Sequence, residues 1–309
     1  MRVVVTGGAG FIGANLCREL SARAGIDEVV ALDDLSTGSR TNLDGLRAKL
    51  VEGSILDRDL LQDIVRSADS VVHLAARPSV PRSLLDPVAS HEVNATGTLY
   101  VLEAARAAGA HVLVASSSSV YGNTAVLPKH EELPTRPLSP YGVSKLATEG
   151  YALAHHASFG LPTLAFRFFN VYGPLQAAGH AYAAVVPAFI DAALRGEPLT
   201  IHGDGEQTRD FTYVDTVCRV LADAVLGRVT APGPVNLAFG TRSSLLDLVA
   251  LLEQLLGRPV ARSHEKPRRG DVRDSQASSE RLRELFPKVE AADLKAGLAE
   301  TLAWFRSTS

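Results

Sequence analysis

Residues 6–13 read Thr6-Gly7-Gly8-Ala9-Gly10-Phe11-Ile12-Gly13 and join an apolar run at the start of the chain to a helical pattern. Gly7 permits a tight turn, Gly10 lets the backbone approach a pyrophosphate, and Gly13 allows the helix to pack closely on the strand. The first turn of such a helix offers free N–H groups and a partial positive charge to an anion. The segment therefore predicts a dinucleotide-binding turn.

Asp33 follows the second apolar run and lies 20 residues beyond Gly13. A carboxylate at this point can accept hydrogen bonds from both ribose hydroxyls of an adenosine, and it would repel a 2′-phosphate. The spacing thus favours NAD over NADP as the cofactor. The alternative is an ordinary glycine-rich turn beside a surface aspartate.

Apolar runs alternate with helical patterns through the first half of the chain. Because the runs are apolar nearly throughout, they are typical of strands covered on both faces. The alternation predicts a Rossmann-type, doubly wound parallel sheet of the α/β class. The expected strands are Arg2–Thr6, Glu28–Leu32, Ser70–Leu74, His111–Ala115 and Thr163–Phe168, and the expected helices are Phe11–Ala24, Asp59–Ser67, Asn94–Ala108 and Tyr141–Ser158.

The second half has a different pattern, with turns from Tyr172 to Asp210 and a run at Pro234–Ala238 that could rejoin the first sheet. Helical patterns cover Val185–Arg195, Val214–Leu226, Ser244–Leu256 and Leu294–Phe305. We expect residues 1–169 and 211–240 to form the NAD-binding domain. Residues 170–210 and 241–309 should form a smaller, mostly helical substrate domain over the carboxyl ends of the strands, where ligands bind in open α/β sheets.

Composition limits the classes of partner. The 309 residues carry a net charge of −3 with both signs interleaved, which gives no reason to expect nucleic acid or an anionic membrane. No apolar run reaches the ~20 residues of a membrane span, and the N-terminus lacks signal-peptide architecture. Cytoplasm is the expected location. Cys17 and Cys218 are expected to be free thiols, and no Cys/His cluster predicts a metal site.

A tyrosine and a lysine open the predicted helix at Tyr141-Gly142-Val143-Ser144-Lys145. Residues four apart lie on one helical face, so the ammonium could stabilise a phenolate and move the phenol pKa from about 10 towards neutrality. Such a phenol can act as a general base. On its own this spacing is more typical of a surface tyrosine and a solvated lysine. A hydroxyl run at residues 116–119 follows the strand that ends at Ala115, where hydroxyls can bind a ligand.

Taken together and in order, these motifs resemble the extended short-chain dehydrogenase/reductase superfamily, and within it the UDP-sugar 4-epimerases. The resemblance covers essentially the whole chain. It rests on the glycine motif and on His73–Ala76, Val93–Thr98, Ser116–Gly122, Tyr141 with Lys145, Arg167–Pro174, Gly203–Gly205, Arg209–Phe211 and Arg268–Arg273.

The resemblance implies a role for each matching position. Tyr141 would be the base and acid for the sugar 4-hydroxyl, Lys145 would bridge the nicotinamide ribose, and Ser117 would be the catalytic hydroxyl. The implied cofactor-binding residues are Gly7, Gly10, Phe11, Ile12, Gly13, Asp33, Asp34, Ser36, Thr37, Gly38, Ser54, Ile55, Leu74, Ala75, Ala76, Asn94, Ser116, Tyr141, Lys145 and Phe169. The implied substrate-binding residues are Ser79, Ser117, Ser118, Tyr141, Asn170, Gln176, Ala184, Val185, Thr200, His202, Arg209, Arg268, Asp271 and Ser275.

One position departs from the family pattern. Where the family has Gly-Asp beside the adenine, this chain reads Gly53-Ser54-Ile55. A serine can still hydrogen-bond, although it would hold the adenine amino group less firmly.

Ser118 and Ser119 decide between related reactions. The 4,6-dehydratases of this superfamily have an Asp-Glu pair there, and the UDP-glucuronate decarboxylases keep a glutamate. Without a carboxylate, elimination lacks its acid and base, so the 4-keto sugar should take its hydride back on the other face. The alternatives are a UDP-glucuronate 4-epimerase or dehydratase on the same scaffold, and a non-catalytic NAD sensor.

Several segments resemble the subgroup that acts on N-acetylated UDP-hexosamines. Ser275 falls at a gate where glucose-restricted relatives often have tyrosine, and a serine leaves room for an acetamido group. UDP-glucose could also be turned over, and Arg77 with Arg82 could meet a uronate. In this family the helices Asn94–Ala108 and Tyr141–Ser158 often form a dimer interface, so we expect a homodimer; intramolecular packing is the alternative.

Overall fold

A seven-stranded parallel sheet forms the centre of the molecule in a computed structural model that describes residues 1–178, 183–266 and 272–308. The strand order is β11-β6-β5-β4-β1-β2-β3. The strands of this sheet are β1 Arg2–Thr6, β2 Glu28–Asp33, β3 Lys49–Glu52, β4 Ser70–His73, β5 His111–Ser117, β6 Thr163–Phe168 and β11 Val235–Leu237. The predicted Rossmann-type fold is confirmed, and the run at Pro234–Ala238 does rejoin the sheet, parallel to β6.

Seven short strands make three small sheets, ordered β10-β7, β12-β9-β14 and β13-β8. Their bounds are β7 Val171–Tyr172, β8 Leu199–His202, β9 Thr208–Arg209, β10 Thr212–Tyr213, β12 Ser243–Ser244, β13 Arg262–Glu265 and β14 Asp274–Ser275. All of them come from the second half of the chain. They lie in the segments assigned by sequence to the substrate domain or just beside them.

Helices cover both faces of the central sheet. They are α1 Phe11–Ala22, α2 Arg58–Val65, α3 Val80–Leu85, α4 Pro87–His91, α5 Gly97–Ala108, α6 Pro140–Phe159, α7 Val185–Arg195, α8 Val214–Leu226, α9 Leu245–Leu256, α10 Glu280–Leu285 and α11 Leu294–Thr308. A π-helical turn, Glu92–Thr96, leads into α5. Among the described residues, no helix is both long enough and apolar enough to cross a bilayer.

Alternate residues of one strand enter different cores. Val3 and Val5 pack with α1 and α8 on one face, whereas Val4 packs with α2 and α5 on the other. This is why the strands are apolar at nearly every position. The first core also contains α7 and α9 residues such as Phe189 and Leu248. Because one core joins both halves of the chain, the domain boundaries stay a prediction.

The sequence pattern missed some elements and some ends. β5 extends through Ser117, so two serines of the hydroxyl run belong to the strand rather than following it. The edge strand β3 and the two short helices α3 and α4 were not predicted. Each has eight residues or fewer, so its periodicity is too brief to register.

Candidate active site

The glycine turn after β1 has a backbone that larger residues could not adopt. Gly7 has a φ of +71°, and a Cβ built on it would lie 2.7 Å from the Ala75 amide nitrogen. A Cβ on Gly13 would lie 2.0 Å from the Gly7 carbonyl oxygen. Gly10 caps α1 without a side chain. The turn therefore brings bare backbone and a helix N-terminus to the carboxyl edge of the sheet, the geometry that a pyrophosphate requires.

Asp33 ends β2 and ties this turn to the next loop. Its Oδ2 accepts from the Ala9 amide at 2.9 Å and its Oδ1 from the Leu35 amide at 2.8 Å. Burial raises the pKa of this carboxyl, while these backbone hydrogen bonds lower it. Each carboxylate oxygen keeps a further lone pair. The carboxylate can therefore accept from ribose hydroxyls, so the residues present fit NAD.

The other predicted cofactor positions lie along the same edge. Asp34, Ser36, Thr37 and Gly38 follow β2, and Ser54 and Ile55 follow β3. Leu74, Ala75 and Ala76 follow β4, where the Leu74 amide donates to the Thr6 carbonyl at 3.0 Å. Ser54 Oγ accepts from the Leu56 amide at 3.1 Å, so the serine that replaces the family aspartate caps its own loop. The roles of these residues in NAD binding stay predictions.

Three predicted cofactor residues use their side chains inside the protein. The Asn94 amide accepts from the Arg77 amide at 2.7 Å and donates to Ser144 Oγ at 2.9 Å. Ser116 Oγ donates to Glu149 Oε2 at 2.8 Å. Phe169 is fully buried beside Tyr121. In this arrangement these side chains contact protein groups, and their roles towards NAD stay predictions.

Ser117, Tyr141 and Lys145 come together where β5 meets α6. Ser139 Oγ caps the helix by accepting from the Gly142 amide at 3.1 Å, and Pro140 occupies the first turn. Ser117 lies at the end of β5 and hydrogen-bonds the Tyr141 phenol. Lys145 is 5% exposed, and its Nζ donates to the Ala115 carbonyl at 2.9 Å. The structure thus joins the three residues that the sequence assigned to catalysis.

Burial dominates the electrostatics of this trio. Burial raises the pKa of Tyr141, and the hydrogen bond with Ser117 lowers it in part. Burial also lowers the pKa of Lys145 to about 8. The Lys145 ammonium is held by a backbone carbonyl, and its influence on the phenol stays a prediction.

A buried hydrogen-bond chain links the glycine strand to the helix of Tyr141. His73 Nδ1 lies 2.7 Å from Thr6 Oγ1, and its Nε2 lies 2.9 Å from Thr98 Oγ1. Thr98 donates to the Asn94 carbonyl at 2.5 Å, as does Thr148 of α6 at 2.8 Å. Because the Thr98 proton is used there, Nε2 of His73 must donate and Nδ1 must accept. The sequence singled out His73 only as part of a motif.

A buried ion pair lies beneath the serines of β5. Arg167 of β6 donates through Nη2 to Glu149 Oε1 at 2.6 Å and through Nε to Oε2 at 2.9 Å. Both side chains are 4% exposed, and Glu149 also accepts from Ser116. This carboxylate is fully engaged, so it is not available as an acid or base for elimination at the neighbouring Ser117.

A cavity of about 510 Å³ is lined largely by segments predicted to bind substrate. Predicted substrate residues in its wall are Asn170, Gln176, Ala184, Val185, Thr200, His202 and Arg209. Ser79 caps α3, and Ser118 begins a short 3₁₀ turn after β5. Ser275 lies in β14 beside Arg209 and is 6% exposed. Arg268 and Asp271 lie outside the described residues.

Sequence reasoning missed several residues of the cavity wall. They are Val80, Pro81, Leu84, Val171, Tyr172, Ala183, Val186, Ala188, Phe189, Gln207, Phe211 and Leu245. Most are apolar and indistinguishable from core positions in the sequence. Gln207 carried a usable signal, because it lies inside the motif between Gly205 and Arg209. Within the described residues, no group of acidic, histidine or cysteine side chains is placed to hold a metal ion.

Comparison with known proteins gives a consistent result. Residues 3–238 match the model of the NAD dependent epimerase/dehydratase family. The chain is 37% identical to a UDP-glucose 4-epimerase of Mycolicibacterium smegmatis, with each protein fully covered. Among solved structures, it is similar to a UDP-N-acetylglucosamine 4-epimerase from Methanobrevibacter ruminantium in complex with UDP-N-acetylmuramic acid, at 34% identity, a TM-score of 0.94 and coverage of 100% and 99%. It is also similar to a UDP-glucose 4-epimerase of Thermotoga maritima with UDP-glucose, at 34% identity, a TM-score of 0.93 and the same coverage.

Proposed function

Because this chain belongs to the NAD dependent epimerase/dehydratase family, we propose that it is an NAD-dependent UDP-hexose 4-epimerase acting through a transient 4-keto sugar. The observation that carries the proposal is the trio of Ser117, Tyr141 and Lys145, which lies at the carboxyl edge of the same parallel sheet as the glycine turn. An isomerase that returns its substrate to the starting oxidation level needs no second substrate.

The residues of the trio divide the chemistry. Tyr141 takes the proton of the sugar 4-hydroxyl and later returns it, and Ser117 holds the phenol and the 4-oxygen in line. Lys145 carries a positive charge at the end of β5, where it can bind ribose hydroxyls and favour the phenolate. Bound NAD would accept a hydride from C4 of the sugar and later return it. The glycine turn, Asp33 and the loop after β4 would hold it.

The division of roles within the cavity is also part of the proposal. Asn170 would contact the UDP moiety and Arg209 would meet the diphosphate, while Thr200 and His202 would line the same ligand. Ser118 and Ser275, which are not part of the cavity wall, would lie near the hexose, where small side chains leave room for the keto sugar to turn over. The domain assignment of residues 1–169 with 211–240 and of 170–210 with 241–309 belongs to the same proposal.

UDP-GlcNAc and UDP-GalNAc are the proposed substrate pair, with UDP-glucose and UDP-galactose as a second pair. The relatives include both kinds of epimerase, and Ser275 favours the larger sugar. One extra acetamido group changes specificity only modestly in a pocket that can accommodate it. The family also contains dehydratases, and against that reaction stand Ser118, Ser119 and the engaged Glu149.

A UDP-glucuronate 4-epimerase is the second candidate. Arg77 could meet a uronate, but its guanidinium lies 3.4 Å from the Asp86 carboxylate. That pair weakens the argument for an acidic sugar at this loop. We also propose a homodimer, because the outer face of α6 exposes Val143 and Tyr151. The proposed location is the cytoplasm.

The test is turnover without added NAD. UDP-GlcNAc, UDP-glucose and UDP-glucuronate are each incubated with purified protein, and the sugars are followed by NMR. We expect the 4-epimer of UDP-GlcNAc to form fastest, with NAD released when the protein is denatured. Turnover of UDP-glucuronate alone would favour the second candidate. Bound NAD without turnover of any nucleotide sugar would indicate a sensor.

A further inference from the structure

Asn236 is a fully buried amide that joins three segments of the chain. It lies in the middle of β11, at the edge of the central sheet, and is 0% exposed. Its Oδ1 accepts from the Tyr121 hydroxyl at 2.6 Å. Its Nδ2 donates to the Lys129 carbonyl at 2.9 Å and to the Ser278 carbonyl at 3.3 Å. The oxygen and both N–H groups of the side chain are therefore in use, which neither an aspartate nor a leucine could reproduce.

One side of Asn236 holds the turn that begins at Ser117. Ser117 Oγ accepts from the Ser119 amide at 3.2 Å and caps the short 3₁₀ helix that ends at Tyr121. Tyr121 is fully buried. The Arg167 guanidinium covers its ring, and Asn236 accepts its hydroxyl. The end of the turn opposite the catalytic serine is thus held by β6 and β11.

The other side of Asn236 holds the segment that follows β14. The Lys129 amide donates to the Gln276 carbonyl at 2.7 Å, and the Ser278 amide donates to the Lys129 carbonyl at 2.8 Å. These bonds form a short parallel bridge that comes directly after Ser275 of β14. Asn236 donates to a carbonyl on each side of the bridge. One side chain therefore meets both the turn of the catalytic serine and the segment of the serine proposed to lie near the hexose.

We propose that Asn236 is a positioning residue for the reaction, which fixes the turn of Ser117 relative to the segment of Ser275. The inference rests on the proposed function. Neither Asn236 nor Tyr121 is among the described residues of the cavity wall, so both act through the groups that they hold. Buried hydrogen bonds define positions well, because breaking one leaves a polar group unpaired in a low-dielectric interior. Catalytic groups need such precision, since a misplacement of about 1 Å can lower a rate about 100-fold.

The experiment measures epimerisation of UDP-GlcNAc and binding of UDP in the purified holoenzyme. Tyr121→Phe removes one hydroxyl, Asn236→Leu removes the amide at similar volume, and a double variant combines the two. We expect kcat to fall about 10-fold in Tyr121→Phe and about 10- to 100-fold in Asn236→Leu. NAD content and the affinity for UDP, measured by isothermal titration calorimetry, should stay as in wild type. The double variant should be no slower than Asn236→Leu, because the Tyr121 hydroxyl acts through the amide.

Two controls separate positioning from loss of stability. Tyr151→Phe removes the hydroxyl of an exposed tyrosine on α6 and should leave both kcat and the melting temperature unchanged. Ser70→Ala removes a buried hydroxyl that lies 3.2 Å from His111 Nδ1, at the amino end of β4 and so at the opposite edge of the sheet. Ser70→Ala should lower the melting temperature without lowering kcat.

Each other outcome has a defined meaning. A wild-type kcat in Tyr121→Phe would overturn the inference, and this variant decides alone if Asn236→Leu does not fold. Losses of kcat that multiply in the double variant would also overturn it. A parallel loss of UDP affinity or NAD, or an equal fall of kcat in Ser70→Ala, would mark a general structural role and overturn it as well. No turnover by the wild type would instead refute the proposed function, and the inference with it.

Discussion

At the scale of single residues, the surroundings of Tyr141 determine how easily its phenol loses a proton. Burial raises the pKa of Tyr141, and the hydrogen bond with Ser117 lowers it in part. The Lys145 ammonium is held by the Ala115 carbonyl. The phenolate therefore needs further positive charge at this edge of the sheet. The proposed reaction would supply it through the cationic ring of the oxidised cofactor, which couples proton removal to the presence of NAD.

Replacing Tyr141 with phenylalanine should lower kcat by about 10²- to 10⁴-fold, the range that general acid–base catalysis contributes. Because the ring is kept, bound NAD and the melting temperature should stay as in wild type. Tyr151→Phe is the control, since Tyr151 lies on the same helix and is 39% exposed. Steady-state kinetics and NAD content measure the effect. Full activity of Tyr141→Phe would show that the base has been assigned to the wrong residue.

His73 gives a pH dependence to stability. Burial, together with the nearby Lys145 charge, lowers its pKa from 6.5 to about 3. In the unfolded chain, His73 is therefore protonated below about pH 6.5, whereas in the folded protein it stays neutral until about pH 3. Stability from this group is fully present above pH 6.5 and is lost as the pH falls towards 3.

We expect His73 to account for about 2 kcal/mol of the stability lost between pH 7 and pH 5. His73→Asn should be less stable at pH 7, because it gives up hydrogen bonds to Thr6 and Thr98. Its unfolding free energy should, however, fall less on acidification than that of wild type. Urea unfolding at both pH values measures this, with His130→Gln as the exposed control. An unchanged pH slope in His73→Asn would contradict the buried neutral state.

The direction in which a side chain points could not be predicted from the sequence. Motifs located Asn94 and Phe169 at the cofactor edge, yet the structure uses both side chains internally. A motif fixes position along the chain, whereas the direction of a side chain depends on neighbours that are distant in sequence. The loop residue Lys129 is 1% exposed, and nothing in the sequence indicated this burial, since a lysine in a loop is usually solvated.

At the scale of elements, β5, β6 and α6 hold the trio through the Arg167–Glu149 pair. Glu149 follows Lys145 by four residues on α6 and accepts a hydrogen bond from Ser116, the neighbour of Ser117. Arg167 donates to the same carboxylate from β6. Arg167 also lies over the Tyr121 ring, 4.6 Å from its centroid. A buried pair of this kind costs desolvation, and breaking it leaves an uncompensated charge.

Arg167→Met should therefore lower the free energy of unfolding by about 3–5 kcal/mol. The double variant Arg167→Met with Glu149→Leu should recover most of that loss, because it removes both charges. Chemical denaturation of the singles and the double gives the coupling. As a control, Arg66→Met breaks the exposed Arg66–Asp63 pair and should cost less than about 1 kcal/mol. A double variant less stable than Arg167→Met would contradict this account.

Long elements were predictable and short ones were not. The strands β1, β4 and β6 and the helices α1 and α6 were predicted to within about two residues, because apolar period and capping signals agree over their length. The edge strand β3 has polar residues at both ends, and α3 and α4 are separated only by Asp86. Their structure depends on packing against α6 and the sheet, which a local pattern does not contain.

At the scale of the whole molecule, the outer face of α6 is unusually apolar. Val143, Gly150, Tyr151 and Ala154 are exposed along it. Residues three, four and seven apart form one stripe on a helix. Small and apolar residues in a stripe allow a second helix to approach closely, and such a face fits the proposed homodimer.

The chain should therefore run as a dimer in light scattering coupled to size-exclusion chromatography. Ala154→Glu should shift it to monomer, because two carboxylates would be buried at the two-fold interface. Ala296→Glu, on the exposed face of α11, should leave the dimer intact. A wild-type monomer at micromolar concentration would show that the outer face of α6 is exposed to solvent and forms no dimer interface.

The carboxyl edge of the central sheet carries both the NAD turn and the trio, and we propose that this site inverts C4 of a UDP-hexose. NMR of UDP-GlcNAc in D₂O with the purified protein and no added NAD tests it most directly. We expect the 4-epimer with its original hydrogens at C4 and C5, since the hydrogen leaving C4 returns to C4. Loss of water with solvent deuterium in the sugar, or no change in any UDP-hexose while NAD is bound, would contradict it.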